Sequence, residues 1–79
     1  MFQYTYTLRH IDEVYVLDII TGIRLSEAYA ALQDMAREGR EKGEIDLGKA
    51  GYTNAYPGDV ITLTTRDREG AYILASETI

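Results

Sequence analysis

Residues 2–9, FQYTYTLR, alternate strictly between apolar and polar side chains, and the other predicted elements are arranged around this stretch. A period of two predicts a β-strand with one face against a core and the other toward water. A second run rich in β-branched residues, VYVLDII at 14–20, follows the short polar connection HIDE. The short spacing predicts an antiparallel hairpin over residues 2–20. We expect its packed face to carry Phe2, Tyr4, Tyr6 and Leu8.

A helix is predicted after this hairpin. Thr21 and Gly22 end the second strand, and Ser26 is expected to be the helix N-cap because its hydroxyl can accept a first-turn N–H. One apolar stripe then recurs at helical spacing and is formed by Ala28, Ala31, Leu32, Met35 and Ala36. The helix is predicted to run to about Lys42 with Gly43 as its stop, and an internal glycine at position 39 is expected to weaken its last turn.

Two more strands complete the pattern: VITLTT at 60–65 and AYILAS at 71–76, joined by the turn RDREG. EIDL at 44–47 is either a short edge strand or the start of a loop that Pro57-Gly58 closes as a type II turn. The order predicts one α+β domain over residues 1–79, a mainly antiparallel four-stranded sheet with one helix packed across it, ββαββ. Its other face, threonine-rich, is expected to be solvated, with docking as the alternative.

Composition excludes several functions. Thirteen acidic and eight basic residues give a net charge of −5, which disfavours direct nucleic-acid binding. Without cysteine, a disulfide framework and a thiolate metal site are both impossible. We see no signal-peptide pattern and no apolar run near the ~20 residues of a membrane span, so no membrane association is expected and the bacterial cytoplasm is the expected compartment. A small domain of this kind often recruits a second copy or a partner, so a homodimer is possible.

No motif indicates a catalytic site, a metal or a cofactor. GKAG at 48–51 lacks the rest of a phosphate loop. His10 and Asp12 could form a dyad, but no nucleophile accompanies them, so we expect His10 to be a solvated turn residue. The alternating charges at 37–44 match a solvated helix face.

The stretch GKAGYTNAYPGD, residues 48–59, is predicted to be an irregular loop and a binding surface. Long loops in compact domains are usually functional or disordered, and tyrosine supported by glycine and asparagine is common in binding loops. We therefore expect Tyr52, Asn54 and Tyr56 to contact a partner. The alternative is that one or both tyrosines cover a thin core.

Chain topology predicts a polarity of charge. If the helix connects two parallel strands, its C-terminus, the first hairpin turn and the loop share one end of the domain. Five carboxylates would then surround Tyr52 and Tyr56: Asp12, Glu13, Glu44, Asp46 and Asp59. Three arginines, at positions 24, 66 and 68, would lie toward the other end. An acidic, tyrosine-bearing end is suited to a basic partner.

A short, acidic, cysteine-free, tyrosine-rich chain with this order of elements resembles the small anti-CRISPR and other anti-defence proteins of phages. The resemblance implies a non-enzymatic inhibitor that blocks the nucleic-acid-binding surface of a bacterial defence complex such as a CRISPR effector. A net charge of −5 with interspersed basic residues is low for a DNA mimic, so specific blockade of a basic nucleic-acid-binding protein is expected. The alternative is a small homo-oligomeric assembly module that pairs through a strand edge.

Overall fold

A computed structural model describes residues 3–79 of the chain. In chain order its elements are β1 (Gln3–His10), β2 (Glu13–Thr21), α1 (Leu25–Lys42), β3 (Glu44–Asp46), β4 (Tyr52–Asn54), β5 (Val60–Asp67) and β6 (Gly70–Thr78). The main sheet has the order β2-β1-β5-β6, and every neighbouring pair is antiparallel. The predicted α+β class, with a four-stranded antiparallel sheet and one helix, is therefore confirmed.

The simple ββαββ order is wrong, because β3 and β4 form a separate two-stranded sheet between the helix and β5. EIDL is thus a strand at its first three residues, and its centre, Ile45, is buried in the core. The segment after it is not irregular either. A short 3-10 helix at Gly48–Ala50 reverses the chain, and the Leu47 N–H donates to the Gly51 carbonyl at 2.7 Å. Strands of three residues are too short to show a period.

The alternation of β1 places its even-numbered residues in the core, as predicted. Tyr4, Tyr6 and Leu8 are buried against Ile61 and Leu63 of β5, while Phe2 lies outside the described residues. Helix α1 covers this face with small residues and one leucine, which are Ala28, Leu32 and Ala36. The Tyr6 hydroxyl donates to the Ala28 carbonyl at 2.8 Å, so this buried polar group is satisfied.

The predicted helix stop is confirmed and the predicted cap is wrong. Gly43 has φ 71° and its N–H donates to the Gly39 carbonyl at 2.9 Å. At the other end the N-cap is Arg24, whose N–H donates to the Glu27 carboxylate at 3.0 Å, and Ser26 lies inside the first turn. This reciprocal bond, from the N-cap N–H to the side chain of the third helical residue, is half of a capping box.

Gly39 permits a close packing contact of the helix. A Cβ there would lie 2.9 Å from Ile79 Cδ1 and 3.2 Å from Ala55 Cβ, so the missing side chain lets α1 approach the chain that follows β4. The charged face of the same helix is also not purely solvated. Arg40 donates to the Thr78 carbonyl, and the Asp46 N–H donates to the Glu38 carboxylate. These bonds join the helix to β6 and to β3.

The open face of the main sheet is more apolar than predicted. Thr5, Thr7, Thr62 and Thr64 lie there as expected, but exposed Val14, Val16, Ile19 and Ile73 on the two edge strands accompany them. By register this face also carries Arg9 and Arg66, and no carboxylate among its described strand residues. The register shifts at Tyr6/Thr7 and at Leu63/Thr64 mark irregularities in both edge pairings.

The chain reverses direction so that one end of the domain collects the β1–β2 turn, the C-terminus of α1 and residues 44–59. We call this the loop end. It forms because β2 and β5 both run antiparallel to β1 and α1 returns the chain between them. The helix N-terminus and the β5–β6 turn lie at the opposite end.

Within residues 3–79, no helix is both long and apolar enough to cross a membrane.

Candidate functional site

A cleft of about 450 Å³ opens at the loop end, on the helix side of the sheet. Its floor is the end of the first hairpin, where Leu8 pairs with Tyr15 and His10 pairs with Glu13. Its opposite wall is β4 and the residues just after it. The lining residues are Leu8, His10, Glu13, Tyr15, Thr53, Asn54 and Tyr56. A volume of this size lies at the lower end of the range for ligand pockets, and it also fits one long side chain.

The buried carboxylate of Asp59 links the floor of the cleft to its opposite wall by hydrogen bonds. Asp59 is only 4% exposed, and its Oδ1 lies 2.7 Å from His10 Nδ1. Its other oxygen accepts the Tyr56 N–H at 3.0 Å. His10 is therefore not the solvated turn residue that its sequence neighbours suggest, and its partner is Asp59 rather than Asp12. This bond connects β1 to a segment 49 residues away.

The turn that delivers Asp59 has the predicted chemistry. The Asp59 N–H donates to the Tyr56 carbonyl at 3.0 Å across Pro57-Gly58, and Gly58 has φ 95°. A positive φ at the third position is the mark of a type II turn and favours glycine there. The turn brings the Tyr56 ring to 4.8 Å from the His10 ring, centroid to centroid, at 40° between planes. The contact between the His10 and Tyr56 rings and the Asp59 hydrogen bonds therefore stabilise the same wall of the cleft, the one that carries Tyr56.

The cleft is electronegative for either protonation state of its histidine. Glu13 and Asp59 each contribute −1, and His10 contributes 0 or +1, so the three groups sum to −2 or −1. The Tyr15 hydroxyl donates to the Glu13 carboxylate, which holds both side chains at the mouth. None of the lining residues is a lysine or an arginine. Such a cleft attracts cations and repels phosphates.

The structure places the predicted contact residues in two groups and one buried position. Glu13, Asn54 and Tyr56 line the cleft. The second group lies on the exposed face of the β3–β4 hairpin and in the first turn, and comprises Tyr52, Glu44, Asp46 and Asp12. Asp59 lies beneath the surface and acts only through its partners. Tyr52 is 67% and Tyr56 49% exposed, so neither tyrosine covers the core.

Sequence reasoning missed the contributions of His10, Tyr15 and Thr53 to this cleft. The hairpin register alone would have placed Tyr15 beside Leu8 and Glu13 beside His10, since a two-residue turn fixes the pairing. No local signal brings Thr53 or Asp59 to that hairpin, because the whole of α1 and β3 separates them from it in the sequence.

Strain marks one further residue of the loop end. Ile11, in the β1–β2 turn, has φ 55° and is 74% exposed. A left-handed backbone costs an L-residue roughly 1–2 kcal/mol, and β-branched residues are rare there. An exposed apolar side chain kept in a strained turn is a candidate contact for a partner.

In the described part of the chain, His, Asp and Glu side chains form no group of three that could hold a metal ion. We compared the chain with protein-family models, curated proteins and solved structures, and none of them matched.

Proposed function

We propose that this protein is a non-enzymatic inhibitor that binds another protein, docking its loop end onto a basic surface. The observation that carries the proposal is the collection of exposed tyrosines at this end together with carboxylates. Tyr52, Tyr56 and Tyr15 are all exposed, and the accessible carboxylates are those of Asp12, Glu13, Glu44 and Asp46. Tyrosine provides large amphipathic contact area at low entropic cost, and it is enriched at interface hot spots.

The charge at the loop end favours a basic partner but only moderately. The four carboxylates named above contribute −4 and Glu41 in the last turn of α1 adds −1, while Arg40, Lys42 and Lys49 contribute +3, which leaves −2. A field of this size accelerates encounter with a basic surface and weakens with salt, while the aromatic contacts supply most of the affinity. The protein is accordingly a specific surface blocker rather than a mimic of DNA.

The partner class follows from the same chemistry. Surfaces that bind nucleic acid are rich in lysine and arginine, and carboxylates docked there occupy positions otherwise taken by phosphates. The resemblance in size, charge and tyrosine content to anti-CRISPR proteins makes a bacterial defence complex such as a CRISPR effector the partner we would test first.

The test is a comparison of two tyrosines at opposite ends of the domain. Tyr52→Ala removes an exposed ring at the loop end, and Tyr72→Ala removes a 44% exposed ring at the other end. With tagged protein and nuclease-treated bacterial lysate, we expect a basic nucleic-acid-binding protein to be captured by the wild type and by Tyr72→Ala. Tyr52→Ala should weaken binding of that purified partner by about tenfold, which corresponds to ~1.4 kcal/mol. Equal binding by both variants contradicts the proposal.

Charge is tested separately from aromatic contact. Glu44 lies at the loop end and Glu69 in the β5–β6 turn, both with exposed side chains. We expect Glu44→Gln to lower the association rate and its salt dependence, and Glu69→Gln to leave both unchanged. An identical salt dependence for the two variants would show that the loop end does not steer the encounter.

A homo-oligomeric assembly module is a second candidate, favoured by the exposed apolar residues on the open sheet face. Val14, Val16, Ile19 and Ile73 form a surface that a second copy could cover. The irregular pairing of both edge strands makes pairing through a strand edge less favourable than contact through this face. A mass that doubles with concentration in analytical ultracentrifugation, and that Val16→Lys returns to the monomer value, would support this candidate. A monomer at all concentrations would exclude it.

A further inference from the structure

We infer that the cleft at the loop end receives the guanidinium group of one arginine side chain from the partner. The inference rests on the proposed function and names the group that the site would recognise. Three features of the cleft support it: its negative charge, the aromatic rings on its walls, and its size, about 450 Å³.

The negative charge of the cleft disfavours anionic ligand groups. Glu13 is the accessible carboxylate among the lining residues, and the buried Asp59 balances or exceeds any charge on His10. Phosphates and carboxylates of a partner would meet this negative potential without a lysine or arginine of the lining to pair with. A cationic group gains an ion pair with Glu13, whose carboxylate is already oriented by the Tyr15 hydroxyl.

The aromatic walls favour arginine among the cations. Tyr15 and Tyr56 both line the cleft, and Tyr56 is held in place by the His10 ring and by the Asp59 bond to its N–H. A guanidinium is planar, stacks on aromatic rings and pairs with a carboxylate through two parallel hydrogen bonds. Asn54 also lines the cleft, on the wall opposite the hairpin, and an asparagine side chain can accept a hydrogen bond. The lining therefore includes the residue types that bind the face and the edges of a guanidinium: tyrosine, glutamate and asparagine.

Asp59 and His10 act as positioning residues in this scheme. Asp59 is buried beneath the cleft, and His10, which is itself a lining residue, bonds to it; together they hold Tyr56 against β1. Pre-organisation of this kind raises affinity because less side-chain freedom is lost on binding. The cleft exists in the free protein, so the arginine enters a formed site.

The experiment uses small probes, so it needs no partner. Uniformly ¹⁵N-labelled protein is titrated with N-acetyl-argininamide and, as the neutral isostere, with N-acetyl-citrullinamide, and amide chemical shifts are followed by NMR. We expect the arginine probe to shift the resonances of Glu13, Tyr15, Asn54 and Tyr56 saturably at millimolar concentration, since one exposed side chain supplies little affinity. The citrulline probe should leave them unchanged.

Matched variants make the result decisive. Glu13→Gln should weaken the arginine probe by roughly two- to fivefold, the range expected for an exposed ion pair, and Glu69→Gln should not change it. The same spectra report whether each variant is folded. Equal shifts with citrulline, shifts that map away from the cleft, or no effect of Glu13→Gln would each overturn the inference. The docking proposal is tested separately, by partner binding of Tyr52→Ala, and Tyr52 does not line the cleft. Failure of that test and failure of the arginine titration can therefore be distinguished.

Discussion

Asp59→Ala tests whether the buried carboxylate holds the loop end together. The substitution removes two hydrogen bonds, one with His10 Nδ1 at 2.7 Å and one from the Tyr56 N–H at 3.0 Å. A hydrogen bond to a charged group contributes about 1.5–3 kcal/mol, and a buried donor left unpaired adds to the loss. The His10 side chain is 35% exposed, so water replaces part of its bond. We therefore expect a loss of about 2–4 kcal/mol in the free energy of unfolding.

That loss is a large share of the total. A chain of 79 residues is expected to have a net stability of about 4–12 kcal/mol. With an m-value near ~1 kcal/mol/M for a domain this small, the urea midpoint should fall by about 2 M or more. The assay is equilibrium urea unfolding followed by circular dichroism. Should Asp59→Ala fail to fold, Asp59→Asn, which keeps one acceptor oxygen, and His10→Ala supply the same information through a double-mutant cycle.

The control is an aspartate on the solvent side of the helix. Asp34 pairs with Arg37 at 2.6 Å, and both side chains are exposed. Asp34→Ala should cost less than about 0.5 kcal/mol, because exposed pairs three residues apart contribute little. If Asp59→Ala destabilises the protein no more than Asp34→Ala does, the Asp59 hydrogen bonds do not stabilise the loop end. The cycle between His10 and Asp59 should show a coupling of about 1 kcal/mol, and zero coupling would contradict the pairing.

Three further perturbations follow from the structure. Ile11→Asn should raise the free energy of unfolding by about 0.5–1 kcal/mol, measured by urea unfolding, since asparagine tolerates the left-handed backbone of this turn. The same substitution should weaken capture of the partner. A lowered urea midpoint would show that the Ile11 backbone is not strained. Burial, and then the charge of Asp18, raise the pKa of Tyr6. A raised pKa gives stability that is present below the ordinary value near ~10 and lost as pH rises through the folded value, so Tyr6→Phe should flatten that alkaline loss, measured by urea unfolding between pH 9 and 11. Gly39→Val should destabilise by about 2 kcal/mol, because the new side chain meets the one at Ala55; an unchanged thermal midpoint would contradict the close approach.

The sheet could be predicted from sequence because its signal is local. The alternation of residues 2–9 assigns the buried face of β1, and the polar connection after it is too short for anything but a hairpin. The same is true of the helix stop, where Gly43 adopts the left-handed conformation that glycine favours. The helix start was misplaced because a serine is only one way to satisfy the first-turn donors, and here Glu27 satisfies one of them instead.

The candidate site could be predicted only in part. The tyrosines and carboxylates of residues 44–56 stand out by composition, and the chain reversal gathers them at one end. The cleft itself depends on residues without a local signal. His10 and Asp59 are 49 positions apart, and neither segment indicates the other. The β3–β4 hairpin could not be predicted from its sequence either, because strands of three residues have no measurable period.

Four features of the protein follow from its local sequence: the class of the domain, the faces of its central strands, the position of the helix stop and the tyrosine-rich segment. Each of these depends on spacing within a few residues, where hydrophobic period and backbone preference act directly. Three other features exist only in the folded protein. Asp59 is a buried carboxylate that bonds to a distant strand, His10 lines a cleft, and Gly39 permits the close approach of α1 and Ala55. These features arise where distant segments meet, and their energies exist only after the helix has packed on the sheet and excluded water.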